Sequence, residues 1–193
     1  MFTGNRGCLV DRTGEVVRHH RGSLWITCLT SYRDWKAPLD AVGRWTPIFF
    51  LDDAVSLAAG HRPCGLCRRD AYRSYRDAVT VAAGRDGPMR ADELDRRLNT
   101  ERLRRGQGVA RAGDRIEWRA DLSSLPTGTV LVGDDEEARL VLDDRLLRFT
   151  FEGWVEPIER ERRGTVRVLT PPTSVAALAH GFRPELHASA VAR

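Results

Sequence analysis

FFLDDAVSLAAGHRPCGLCRRD, residues 49–70, is the stretch on which the organisation of this chain turns. At its centre Cys64 and Cys67 stand in a C-x-x-C turn with Gly65 inside it. Two thiolates three positions apart can reach one ion at about 2.3 Å in tetrahedral geometry. Before the turn, Asp52 or Asp53 is suited to cap a short helix over 53–59, and Gly60 to stop it. After it, RRDAYRSYRDAVTVAA predicts a basic helix over 68–83. A thioredoxin-like redox pair shares the C-x-x-C spacing but opens a helix directly after a strand, within a βαβ pattern. Here the pair follows a helix, so metal binding is the better expectation.

A structural zinc takes four ligands. The remaining cysteines, Cys8 and Cys28, complete an all-cysteine set of Cys8, Cys28, Cys64 and Cys67, the expected Zn2+ site. His61 competes for the fourth place, although it is so near Cys64 that joint ligation strains the turn. The pair His19-His20 is another option. Without metal, Cys8 and Cys28 are ordinary buried thiols. The N-terminus lacks the basic-then-apolar order of a secretory signal, which makes disulfides a poor explanation and a cytoplasmic location the expectation.

The same segment resembles the second half of the metal-binding domain of the Ada methylphosphotriester-repair family. Phe49, Phe50, Ala54, Ala58, Ala59, Gly60, Arg62, Pro63, Cys64, Cys67 and Arg68 fall on that family's phrase, with His61 replacing its usual phenylalanine. The resemblance implies zinc, the local fold and nucleic-acid contact. Methyl transfer does not carry over. The family's other two ligands form a close C-x-x-x-C pair, whereas Cys8 and Cys28 are twenty positions apart. The whole chain is also similar to a bacterial family of about this length that shares GNRGC (4–8) and LTPPxxV (169–175), a likeness that implies no activity.

Beyond this core, residues 1–33 suggest strands, with a hairpin turning at Asp11–Gly14 and a buried run LWITCLT at 24–30. A polar linker follows over 31–45. A break at 84–88 precedes a helix expected over 91–105. From 114 onward, short alternating runs separated by Gly and Asp turns suggest a small antiparallel sheet or barrel. A last helix, capped by Thr173 or Ser174, stops at Gly181. The expected class is α+β. A zinc-knuckle α/β unit, Ada-like, occupies 1–84, and a helix with a small β domain occupies 85–193.

The 193 residues carry a net charge of +4, and Lys36 is the single lysine among 31 cationic side chains. Arginine suits phosphate, but a GC-rich genome also enriches it. Arg6, Arg62, Arg68, Arg69, Tyr72, Arg73 and Arg76 are the candidate nucleic-acid contacts, basic groups interleaved with an aromatic beside the cysteine turn. Arg96, Arg97, Arg102, Arg104 and Arg105 alternate with acids and suggest an exposed, salt-bridged helix. No apolar run is long enough to span a membrane, and the familiar phosphate-loop, dinucleotide, zincin and serine-hydrolase phrases are absent. Three functions follow as expectations: a zinc-stabilised DNA- or RNA-binding module, a zinc-thiolate enzyme acting on nucleic acid or alkyl groups, and an adaptor that binds protein partners around a structural zinc.

Overall fold

The computed structural model describes residues 1–36, 43–161 and 163–191. The linker expected over 31–45 therefore lies partly outside the described residues. Among those described, the fold is mixed α+β, with five α-helices, a four-stranded sheet, a six-stranded sheet and a two-stranded ribbon.

The first sheet combines β1 (Phe2–Asn5), β2 (Ile26–Cys28), β5 (Pro47–Phe50) and β6 (Arg62–Pro63) in the order β5-β1-β2-β6. The ribbon of β3 (Ser31–Tyr32) and β4 (Trp35–Lys36) lies between β2 and β5 in sequence. β1 pairs antiparallel with both neighbours, whereas β6 joins β2 in parallel, with Ile26 opposite Arg62 and Thr27 opposite Pro63. Gly4 on β1 is needed for close packing: a Cβ there would sit 2.4 Å from the Phe50 ring. The hairpin expected around Asp11–Gly14 is reduced to a single bridge, Val10 to Val16, held by the Asp11 carboxylate accepting from the Thr13 and Glu15 amides.

Between β5 and β6 runs α1 (Asp53–Ala58). Its N-cap is Asp52, which accepts from the Val55 amide at 3.0 Å, as such a residue does where a helix leaves its first N–H groups unpaired. Gly60, at φ +81, ends the turn in the left-handed region. The chain then enters β6, the cysteine turn and α2 (Arg69–Ala82), followed by α3 (Ala91–Arg102). α3 stops three residues short of the expected end because Leu103 turns extended and bridges Arg115.

The second sheet is wholly antiparallel. β7 (Trp118–Asp121), β8 (Val130–Val132), β9 (Ala138–Leu142), β10 (Arg145–Phe149), β11 (Trp154–Glu159) and β12 (Thr165–Val168) take the order β11-β10-β9-β8-β12-β7. Among the described residues it stays open, with β11 and β7 at its edges, so the sheet alternative holds and the barrel does not. Side-chain alternation serves two layers. Val130, Leu140, Leu142 and Leu147 pack with Ala54 of α1 and Trp154, while Leu131, Val141, Leu146 and Val168 pack with Leu122 and Val175 on the other side. Val175 belongs to α4 (Pro172–Ala179), and the chain closes with α5 (Ala188–Val191). Proline at the first position starts α4; Thr173 and Ser174 lie inside the helix rather than capping it.

A third cluster joins Leu57, Tyr75 and Val79 to Leu94, Leu98, Leu178 and Phe182, drawing on both sides of residue 84. Two adjacent acids bind the halves further. Asp52 accepts from the Trp154 indole N–H at 2.6 Å and from the His187 amide at 3.0 Å. Asp53 holds Arg68 through two bonds of 2.6 and 2.8 Å and accepts from the Glu185 amide at 2.9 Å. Among the described residues, no helix is long and apolar enough to cross a membrane.

Removing one partner of a buried ion pair leaves the other charge uncompensated, at about 3–5 kcal/mol. Asp53→Ala is therefore expected to lower stability to urea by about that amount. Asp77→Ala, which breaks an exposed pair with Arg76, is expected to leave the urea midpoint unchanged. Equal effects of the two would contradict a structural role for the Asp53–Arg68 pair.

Candidate metal centre

The parallel pairing of β2 and β6 creates the site. Cys28 ends β2, and Cys64 follows β6 directly, its amide donating to the Thr27 carbonyl at 2.9 Å. The turn then brings Cys67 back under the start of α2, with the Arg68 amide bonded to the Cys64 carbonyl at 3.2 Å. As a result the sulfurs of Cys28, Cys64 and Cys67 lie within 4.8 Å of one another. A tetrahedral ion with metal–sulfur bonds of about 2.3 Å spaces its sulfurs about 3.8 Å apart. The cluster needs little contraction to hold one.

Backbone amides reach two of the three sulfurs. The Leu66 amide points at Cys64 Sγ and the Leu29 amide at Cys67 Sγ, each at 3.4 Å. All the cysteines are free of disulfides. Hydrogen bonding with Cys64 and Cys67, together with burial, pushes the Cys28 thiol up, and the same sharing pulls Cys64 well down. Three sulfurs this close cannot all carry unbalanced negative charge. A divalent cation that replaces the shared protons resolves the conflict, which is the linkage by which thiolate sites bind metal. The donor set is soft, suiting zinc and other thiophilic ions.

Cys8 is placed elsewhere. Its thiol donates to the Val10 carbonyl at 3.4 Å, and it is not among the three clustered sulfurs. His61 is fully buried, with Nε2 accepting from Arg6 Nε at 3.2 Å and its ring against Phe50 and Trp25. Burial and the Arg6 charge push its pKa well below the usual imidazole range. His19 and His20 pack on each other and on Trp25, and neither joins the sulfur group. Among the described residues, three cysteine sulfurs converge.

The arginines expected to meet nucleic acid divide sharply. Arg62 is buried and fills its fork with Asp95 at 2.8 Å on both arms. Arg68 is buried on Asp53, with its guanidinium 3.8 Å from the Phe2 ring centre. Both belong to the scaffold, and neither leaves donors facing outward for a phosphate. Tyr72 is half-buried under the Arg62 guanidinium, Arg76 pairs with Asp77, and Arg6 is turned inward. Arg69 and Arg73 are exposed on α2.

A cavity of about 580 Å3 opens beside the sulfurs, lined chiefly by Ile26, Leu29, Tyr32, Arg44, Trp45 and Leu66. Ile26 and Leu29 belong to the buried run at 24–30, but the cavity itself carried no signal in the sequence, because its lining comes from separate segments that meet only when β2 pairs with β6.

Compared with known proteins, the chain matches no family model, no curated protein and no solved structure.

If the three clustered sulfurs are the ligands, Cys28→Ser, Cys64→Ser and Cys67→Ser are each expected to abolish or severely reduce bound metal in elemental analysis. Cys8→Ser is expected to keep the wild-type stoichiometry. Loss of metal from Cys8→Ser alone would contradict this assignment.

Proposed function

We propose that this is a zinc protein in which Cys28, Cys64 and Cys67 hold one ion, and that it binds nucleic acid on the face carrying the cysteine turn and α2. The observation that carries the metal is the convergence of three sulfurs from two separate segments. Zinc is favoured by the thiolate set and by the likeness of residues 49–70 to the Ada metal-binding phrase. Nucleic acid is supported by exposed Arg69 and Arg73 immediately after the turn and by the net charge of +4. The surface is smaller than the sequence implied, because Arg62 and Arg68 are committed to carboxylates.

Fluorescence anisotropy with a short DNA duplex and with single-stranded RNA, from 50 to 200 mM salt, tests this reading. Two phosphate contacts give a log–log salt slope of about −2 on a duplex. The double variant Arg69→Gln/Arg73→Gln is expected to flatten that slope by about 2 and to leave bound zinc unchanged. Absence of affinity at 50 mM salt would contradict nucleic-acid binding while leaving the metal centre intact.

One observation favours a second reading, a zinc-thiolate enzyme acting on alkyl groups: the cavity beside the sulfurs is lined mainly by apolar and aromatic residues. Cys67 is the least buried of the three. In that reaction its thiolate forms a C–S bond as the alkyl carbon parts from its leaving group, which departs with the electron pair.

A further inference from the structure

At the opposite end of the β2–β6 pairing, the protein gathers arginines in its interior. Arg6, Arg102, Arg111 and Arg115 line a chamber of about 150 Å3 around Trp25. The Arg6 guanidinium carbon lies 4.1 Å from the Trp25 ring centre and that of Arg102 lies 4.6 Å from it. Gly60 is required here: any Cβ would stand 2.9 Å from the Arg102 side chain.

The partners of these guanidiniums are nearly all neutral. Arg6 donates to His61 Nε2, pairs with His19 Nε2 at 3.0 Å and reaches the Ala59 carbonyl at 3.4 Å. Arg102 donates to the carbonyls of Gly60 at 2.7 Å and Ser23 at 2.6 Å. Arg115 donates to the carbonyls of Ala58 and Leu169. Among the described residues none of these three makes an ion pair; Arg111 alone has one, with Asp114 at 2.6 Å. Among the described residues, the one carboxylate lining the chamber is Glu101, which accepts from the Thr173 amide and hydroxyl at 2.9 and 2.6 Å. Arg102 Nη2 and Arg115 Nε are buried without a partner among the described residues. Burial lowers Arg6 and Arg102 to about 10, so both remain charged at neutral pH. Burial and the neighbouring arginine charges lower His19 to about 4, so it adds no charge of its own.

Cations taken out of water without a counter-charge are expensive, and a fold that retains several in one cavity is suited to an anion that neutralises them. Several planar forks favour an oxyanion that can accept from each. Arg6 and Arg102, neither in an ion pair among the described residues, with Arg115 beside them, match a dianion better than a single carboxylate. At roughly 30 Å3 per water, the chamber has the room of about five waters, enough for a phosphate group but not for a nucleoside. It shares Trp25, Arg102, Leu103 and Arg111 with an outer groove of about 610 Å3 that adds Arg104 and Arg105.

We infer that the chamber binds a phosphomonoester, its terminal phosphate held by Arg6, Arg102 and Arg115 and its organic remainder lying in the outer groove toward Arg104 and Arg105. This goes beyond the zinc reading and stands without it. The phosphate can belong to a free phosphorylated small molecule or to the 5′ end of a nucleic-acid strand; the chemistry recognised is the same.

Calorimetry on the full-length protein at fixed ionic strength tests the inference. The probes are inorganic phosphate, adenosine 5′-monophosphate, and one oligonucleotide bearing either a 5′-phosphate or a 5′-hydroxyl. Inorganic phosphate is expected to bind at one saturable site per chain, and Arg102→Met to weaken it by at least about tenfold. Arg102 also bonds two carbonyls, so circular dichroism checks that the variant is folded. Arg105→Gln, at an exposed position, is expected to weaken adenosine monophosphate severalfold and leave inorganic phosphate unchanged. Preference for the 5′-phosphorylated strand supports the chamber and assigns the source to a strand end. Binding of phosphate and adenosine monophosphate with neither strand bound supports it with a free metabolite as source, and contradicts the nucleic-acid reading alone. Absence of saturable phosphate binding by the wild type, or unchanged affinity in folded Arg102→Met, overturns it.

Discussion

Both candidate sites depend on one short parallel pairing. β6 is only two residues long, yet it lies beside β2 through the Arg62 amide on the Trp25 carbonyl and the Cys64 amide on the Thr27 carbonyl. Parallel neighbours require a crossover, here supplied by β5 and α1. Because the strands run the same way, their C-terminal ends deliver Cys28 and Cys64 to one place, while their N-terminal ends deliver Trp25 and His61 to another. The sulfur cluster and the arginine chamber are thus the two ends of a single register. A metal ion joining Cys28 to Cys64 would close a long loop across that pairing and couple metal affinity to folding of the sheet.

Several arginines are used inside the protein rather than on its surface. Arg62 and Arg68 pin α3 and α1 to the cysteine turn through carboxylates at Asp95 and Asp53, and Arg6 and Arg102 flank Trp25. The planar fork makes this possible, since two parallel bonds satisfy most of the buried donors. It also explains why a basic composition overstated the outer charge. Several of the cations nearest the sulfur cluster are already neutralised, whereas Arg6, Arg102 and Arg115, without an ion pair among the described residues, line an internal chamber.

Local chemistry was legible in the sequence and distant partners were not. The cap at Asp52, the stop at Gly60, the helix after the cysteines and the antiparallel second sheet all follow from patterns within a few residues. The clustered pair Cys64 and Cys67 was visible for the same reason, and Cys28 from its buried strand. Cys8 differs because its strand ends at Asn5 and its thiol turns to the local Val10 carbonyl. Arg62 and Arg68 looked like surface groups because their carboxylates stand 33 and 15 positions away. Arg102 carried one missed clue. It continues the Leu94, Leu98 spacing of α3, so it lies on the buried face of that helix.

X-ray absorption at the zinc edge of the purified protein tests the three-thiolate assignment most directly. A zinc held by Cys28, Cys64 and Cys67 gives three sulfur scatterers at about 2.3 Å and one lighter oxygen or nitrogen atom in the fourth position. Four sulfurs would require Cys8 to leave its local bond and would contradict the site described, as would a zinc with no sulfur neighbours.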